Sequence, residues 1–436
     1  MSDSIRVGLL GCGTVGTGVI RILEENRADI VGRLGAPIEV VKIMVRDPER
    51  ERDPIVPRHL LTSDPAEVLE ADVHVVVEVM GGYEPARTLL LEALARGHHV
   101  VTANKALLAR HGGEIFKAAD DAHRDVIFEA SVGGGIPIIR TLREGLASDR
   151  IHAIYGIING TSNFMLTAMA QQGRAYDEVL REAQARGFAE ADPTMDVGGI
   201  DAAQKLNILV SISFGIAIPF ESILTEGIDT VSAVDIKFAR QFGYTIKPLA
   251  VAKAHEDGSI EARVHPTLIP SSAMLASVNG VFNAVMVQSH ALGPVLFYGQ
   301  GAGMMPTAAS VVSDIIELGR NIQRGTSGRL PHLAFHPQHT SLRVQRDPLR
   351  TRCAFYLRFN VKDQSGVLSR ISGILGDHGI SIKQMVQDTS EPGQPVPVVL
   401  LTHEATEGDV REALQQIDTL DFVLEPTCHL RVEDLH

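Results

Sequence analysis

Ile5-Arg6-Val7-Gly8-Leu9-Leu10-Gly11-Cys12-Gly13-Thr14-Val15-Gly16 is the stretch whose reading settles the fold. Its first six residues form an apolar run of strand length. Its last six spell G-x-G-x-x-G ahead of a helical pattern that lasts to about Asn26. Strand, glycine turn and helix, in that order, form the arrangement that lays a dinucleotide pyrophosphate on a helix N-terminus. Gly11, Gly13 and Gly16 supply the tight turn and the close backbone approach, while Thr14 and Val15 open the helix. These five residues are the first candidate cofactor contacts. Cys12, inside the turn, reads as a small buried residue rather than a nucleophile.

Working outward, a second strand is expected at 37–45, ending in Val45-Arg46-Asp47. An acidic residue at this tip suits a ribose 2′-OH, and an arginine suits a 2′-phosphate. Arg46 therefore points to NADP, and Asp47 beside it leaves NAD open. Strands at 73–77, 100–101 and 126–128 alternate with helices at 84–95 and 106–122, which predicts a doubly wound parallel sheet and an α/β fold. Ligands of such sheets lie beyond the carboxyl ends of the strands. Three tips there carry polar or glycine residues: Glu78 to Gly82, Thr102 to Lys105 and Glu129 to Gly135. On spacing alone, Lys105 is as well placed to face phosphate or solvent as to meet a nicotinamide.

From Ile151 the pattern changes. Strand 151–158 ends in Asn159-Gly160-Thr161-Ser162-Asn163, helices follow, and then comes Glu190-Ala-Asp192-Pro-Thr-Met-Asp196-Val-Gly-Gly-Ile-Asp201-Ala-Ala-Gln-Lys205. Four carboxylates and one lysine stand among small and apolar residues here. The lysine lies four residues from Asp201, on one face of an apolar helix expected to reach about Gly215. A surface ion pair would contribute only about 0.3–0.5 kcal/mol. Charges at the mouth of a buried helix point instead to a site, with Glu190, Asp196, Asp201 and Lys205 as candidates. Strands at 245–254, 261–269, 281–288 and 295–298 predict a second sheet. Gly299 to Gly303 then lead into a helix at 307–319 that returns to the first domain and turns its N-terminus, with Gly303, toward the cofactor.

Residues 323–351, rich in proline, glycine, arginine and histidine, read as a solvated linker. His332, His336 and His339 fall there without carboxylates to make a metal site. Residues 352–436 show a β-α-β-β-α-β order, expected as a separate ferredoxin-like domain. The expected division is a dinucleotide-binding domain over 1–137 plus the returning helix 305–322, a catalytic and dimerisation domain over 138–304, the linker, and the C-terminal domain.

A chain of 436 residues, 44% hydrophobic and 21% charged, has material for several cores. Its formal charge of −13 argues against nucleic acid or an anionic membrane as the main partner. Cys12, Cys353 and Cys428 form no metal spacing and fit a reducing cytoplasm. No run reaches the ~18 apolar residues of a membrane span.

Jointly, GLLGCGTVGTGV, VTANKALLA, EASVGGGIPII, YGIINGTSNFMLT, EADPTMDVGGIDAAQK and GQGAGMMPTAASVVSDI, followed by DQSGVLSRISGILGDHGISI, resemble homoserine dehydrogenase with a C-terminal ACT regulatory domain. The resemblance covers nearly the whole chain. It implies reversible reduction of L-aspartate 4-semialdehyde to L-homoserine with NADP or NAD, in threonine, methionine and isoleucine biosynthesis. It implies Lys105 and Lys205 as catalytic lysines, with Lys105 also touching the cofactor. Glu190 and Asp201 would hold substrate. Glu129, Val132, Gly134 and Ile136 would surround a monovalent cation such as Na+, mostly through backbone oxygens. A homodimer or homotetramer is expected, with threonine as effector at a loop containing Asp363 and Gly366. The residues agree chemically: an α-ammonium needs carboxylates, and an aldehyde gaining hydride needs a proton donor. No cysteine is placed to form an acyl-enzyme, which argues against a semialdehyde dehydrogenase of the acyl phosphate type.

Overall fold

The computed structural model describes residues 4–340, 344–387 and 395–435. The chain divides into two compact units. The first comprises Met1–His152, Gln204–Ser222 and Asn283–Arg343, and the second Ala153–Ala203, Ile223–Phe282 and Val344–His436. Among the described residues, no helix is long and apolar enough to cross a membrane.

The first unit is built on a six-stranded parallel sheet. Its spatial order is Leu61–Thr62, Ile38–Met44, Ile5–Leu10, Val75–Glu78, His99–Thr102 and Val126–Ile127. Numbered along the chain this is 3-2-1-4-5-6, the doubly wound order of dinucleotide folds. The central strands are dominated by valine and leucine because helices cover both faces; every residue of Val75–Glu78 and His99–Thr102 is buried. The order reverses between Ile5–Leu10 and Val75–Glu78, so the loops after these two strands flank the switch point.

The helix Met304–Gln323 packs into this core through Ala308, Val311, Ile315 and Leu318. Gly18 permits the approach, since a Cβ there would lie 2.9 Å from Ala308 Cβ and from Met304 O. The helix begins three residues before the expected 307. Pro306 stands in its first turn, where no N–H partner is needed. His332 was expected in solvated linker and is instead buried. Its Nε2 accepts from Val126 N (3.2 Å), and its ring stacks on Phe116 at 5.4 Å between centroids.

The second unit carries a sheet in the order Ile151–Ile157, Tyr244–Ala254, Ile260–Pro270, Cys428–Val432, Arg352–Lys362, Pro395–Thr402 and Ile382–Gln387. The last four strands, with helices Val367–Asp377 and Glu407–Ile417, form the ferredoxin-like β-α-β-β-α-β unit. This C-terminal part is not a separate sheet. Cys428–Val432 pairs antiparallel with Arg352–Lys362 and also parallel with Ile260–Pro270, Thr267 facing Arg431 and Leu268 facing Val432. The last strand begins only at Cys428. Val423 forms only an isolated bridge to Val361, and Thr427 is drawn aside by hydrogen bonding to Asp418.

Candidate active site

In the first unit, the glycine loop is tight by construction. Gly11 has φ +105°, and a Cβ on Gly16 would lie 2.6 Å from Gly11 O, so neither position accepts a side chain without backbone movement. A Cβ on Gly13 would meet nothing within 4 Å, so this residue faces open space. Gly13 caps the helix Thr14–Glu25, which has no side-chain cap and no acidic residue in its first turn. Its N–H groups and positive dipole are therefore available to an anion, and the cradle fits a dinucleotide pyrophosphate.

Across the switch point, Glu78 is fully buried. Its carboxylate accepts from Met80 N (2.8 Å), Gly81 N (3.1 Å) and Thr102 Oγ1 (2.6 Å). Asn104 ties the next loop to the same frame, donating to Gly82 O (2.7 Å) and capping Leu107 N (3.1 Å). Lys105 is thus the first residue of the helix Lys105–Ala122, half-buried, with its backbone position fixed from both sides. Neither Glu78 nor Asn104 was assigned a role from sequence, although both stood in the flagged strand tips.

Arg46 is exposed just beyond Ile38–Met44. A second guanidinium, missed in the sequence, lies close by. Arg52 donates to Asp47 O (2.7 Å) and Arg50 O (2.9 Å). Burial pushes the Cys12 thiol up, while its Thr17 hydrogen bond and the Arg52 charge oppose that shift. The run Arg46-Asp-Pro-Glu-Arg-Glu-Arg52 was the available signal.

The segment Glu129 to Ile136 packs on the Gly299–Gly303 turn. Gly134 has φ +54°, and a Cβ there would fall 2.6 Å from Gly301 O. Gly134 O accepts from Ser310 Oγ (2.6 Å), and Gly135 N donates to Gln300 O (3.1 Å). The Glu129 carboxylate accepts from Ile139 N (2.8 Å) and Arg140 N (2.7 Å), and Glu129 N donates to Asp314 Oδ2 (2.9 Å). Burial pushes the Glu129 carboxyl up against the pull of those two N–H groups, and burial, helped by the Glu129 charge, pushes the Asp314 carboxyl well up. Gly133 and Gly134, both at positive φ, fold this segment into a turn in which Gly133 O accepts from Ile136 N (2.9 Å) and Ile136 O from Ile138 N (2.8 Å). Gly303, at φ +126°, caps the helix Met304–Gln323.

In the second unit, Asn159 is the organising residue. It lies two residues beyond the strand Ile151–Ile157 and caps Gly160–Gln172, its Oδ1 accepting from Ser162 N at 2.8 Å. Its Nδ2 donates to Asp196 Oδ1 (2.8 Å) and Asp201 Oδ2 (2.9 Å). Two of the sequence-predicted carboxylates are thereby brought together by one amide, a role that spacing did not reveal. Glu190 stands on the exposed loop before Thr194–Val197, its carbonyl accepting from Gln184 Nε2 (3.2 Å). Gly199, at φ +80°, turns the chain into the helix Ile200–Phe214. As the apolar run implied, every residue of this helix after Ile200 is buried, Asp201 and Lys205 included, with these two one turn apart.

Family models match in three places. The homoserine dehydrogenase NAD-binding domain matches residues 11–129, the homoserine dehydrogenase catalytic domain residues 137–316, and the ACT domain residues 355–421. A homoserine dehydrogenase of Pseudomonas aeruginosa is 46% identical over 99% of both chains, and that of Bacillus subtilis 42% identical over 99% of this chain and 98% of its own. The crystal structure of a homoserine dehydrogenase from Thiobacillus denitrificans superposes with a TM-score of 0.94 at 46% identity over 99% of both chains. A hyperthermophilic archaeal homoserine dehydrogenase in complex with NADPH superposes with a TM-score of 0.61 at 28% identity, over 72% of this chain and 97% of its own. The chain belongs to the homoserine dehydrogenase family, oxidoreductases acting on a CH–OH group, with an NAD-binding domain at its start and an ACT domain at its end.

Proposed function

We propose that this enzyme reduces L-aspartate 4-semialdehyde reversibly to L-homoserine with NADP in preference to NAD, in threonine, methionine and isoleucine biosynthesis. The observation that carries the substrate assignment is the Asn159 bridge. It holds the Asp196 and Asp201 carboxylates together as an anionic pair, the chemistry an amino acid's ammonium requires. Glu190 adds a third carboxylate from its loop. With its pyrophosphate on the glycine loop, the dinucleotide would supply, from its nicotinamide ring, the hydride that adds to the aldehyde carbon. Lys205 donates a hydrogen bond to the aldehyde oxygen and passes it a proton as negative charge builds there, leaving the alcohol. Lys105 orients the substrate against the nicotinamide ring. In the reverse direction Lys205 receives the hydroxyl proton as the hydride leaves the alcohol carbon.

Arg46 would hold the 2′-phosphate, and the NADPH-bound archaeal relative supports NADP as cofactor. Glu129, Val132, Gly134 and Ile136 are the proposed cation ligands. An open depression of about 360 Å³ beside Asp363, Gln364, Ser365 and Gly366 supports an amino-acid effector site, with threonine as the proposed effector. Gly366, at φ +93°, caps Val367–Asp377, whose N–H groups suit a carboxylate. The domain boundaries drawn from the sequence and a homodimeric or homotetrameric assembly belong to the same reading. Substitution Lys205→Ala tests the mechanism. It should lower kcat by about 10²–10⁴ with far less change in substrate KM, and a near-normal kcat would remove Lys205 from proton transfer.

A further inference from the structure

Glu226 follows the short strand Leu224–Thr225, far in sequence from every residue assigned above. Its carboxylate accepts from Arg431 Nη1 (2.6 Å) and Nη2 (2.9 Å) of the last strand, and from Arg411 Nη2 (2.8 Å) of the helix Glu407–Ile417. Glu407 completes the cluster, accepting from Arg431 Nε (2.8 Å) and Nη2 (2.6 Å) and from Arg411 Nε (2.6 Å). Arg431 and Glu407 are almost wholly buried. Ligand atoms of Glu226, Glu407 and His429 lie within 4.8 Å of one another, a spacing a metal would accept. The Arg431 guanidinium, hydrogen-bonded to both carboxylates, already supplies the positive charge there, so the cluster reads as a joint rather than a metal centre.

The other side of Glu226 is the acidic loop. Ile228 N donates to Val197 O (2.9 Å), and Glu226 N donates to Val264 O (2.8 Å). A Cβ on Gly227 would lie 2.6 Å from Val197 O, and one on Gly199 would lie 3.1 Å from Thr225 Cγ2 and 3.3 Å from Glu226 O. The two backbones therefore touch with no side chain between them. Val197 directly follows Asp196, and Gly199 precedes Asp201 by two residues.

We infer that Glu226 is a positioning residue that fastens the loop carrying Asp196 and Asp201 to the C-terminal domain through Arg431 and Arg411, so that the amino-acid subsite takes its shape from that domain. The inference rests on the assignment of Asp196 and Asp201 to substrate binding. A partly buried charge-assisted joint, the Glu226 N to Val264 O hydrogen bond and a close backbone contact make an unbroken path, and a shift of Arg431 would be felt at Val197 within two residues of chain.

The test uses the full-length enzyme with Glu226→Gln, which keeps volume and removes the charge. The KM for homoserine should rise about 5-fold or more, while the KM for the nicotinamide cofactor and kcat stay within about 2-fold. Arg411→Met is the milder companion, since it keeps the stem of a half-exposed arginine. It should raise the homoserine KM in the same direction by a smaller factor. A folded Glu226→Gln enzyme with an unmoved homoserine KM overturns the inference, as does one in which both KM values and kcat worsen together with thermal stability. Should Glu226→Gln not fold, Arg411→Met decides: a selective rise supports the joint, and wild-type kinetics overturn it. A wild-type enzyme that does not turn over homoserine would overturn the activity reading itself, whereas wild-type turnover beside unmoved variants overturns only this inference.

Discussion

Replacing Asn159 by alanine should cost both stability and substrate affinity. The side chain is almost fully buried and meets three partners at 2.8–2.9 Å: the cap donor Ser162 N and the carboxylates of Asp196 and Asp201. Loss of the cap costs about 1 kcal/mol, and loss of a hydrogen bond to a charged group about 1.5–3 kcal/mol. The two carboxylate bonds share one amide and the freed carboxylates can relax, so we count one at full value. The expected loss is about 2.5–4 kcal/mol of unfolding free energy. Without the Asn159 amide to hold both carboxylates, Asp196 and Asp201 lose their common anchor, and the geometry of the ammonium subsite loosens. A 10-fold rise in homoserine KM, about 1.4 kcal/mol, is the expected kinetic sign. Asn159→Asp retains the cap acceptor and adds a third negative charge, so it should bind substrate no better than alanine does. Urea unfolding and initial-rate kinetics on the three proteins suffice. Wild-type stability and wild-type KM in Asn159→Ala would refute the bridge as the organiser of the subsite.

Arg46→Ala should weaken NADPH by about 1.5–3 kcal/mol and leave NADH nearly unchanged, since only the former brings a 2′-phosphate; equal losses in a binding titration would dismiss Arg46 as its reader. Burial lowers the His99 pKa to about 4, and its Nδ1 accepts from Asp125 N (3.1 Å), a bond that protonation there would break. Between that value and the ordinary ~6.5 the unfolded chain binds more protons than the folded one, so stability should fall as pH drops through this window. His99→Gln should flatten the fall in denaturant melts at pH 7 and pH 5, and an unchanged slope would contradict the assignment. Asp363→Ala should blunt inhibition by millimolar threonine without moving substrate KM, and neither heat nor inhibition in the wild-type enzyme would end the threonine proposal. Deleting the C-terminal domain is the poorer test, because Arg263, almost wholly buried, pairs with Glu433 and would lose that partner.

The nucleotide half was legible in the sequence because its signals are local. Ile5 to Leu10 is a strand between the same residues that its apolar run marks, and the glycines that bend the loop stand beside it. Helix 106–122 was displaced by one residue only, its start fixed by Asn104. Lys205 and Asp201 were visible because four residues make one helical turn. What escaped was non-local. Asn159 meets partners 37 and 42 residues away, and Glu226 meets Arg431 across 205 residues, which no periodicity records. The union of the C-terminal sheet with Ile260–Pro270 escaped for the same reason, since parallel pairing of distant strands leaves no turn signal. The returning helix starts at Met304, with Pro306 inside its first turn, where a missing N–H costs nothing.

The most direct test of the proposed reaction follows the hydride with the wild-type and Lys205→Ala enzymes, using NADPH deuterated at the transferring position and L-aspartate 4-semialdehyde. The wild-type enzyme should form L-homoserine with stoichiometric deuterium at C4, and Lys205→Ala should form the same product at a rate lower by about 10²–10⁴. No deuterated homoserine from the wild-type enzyme, or equal rates from both, would contradict it.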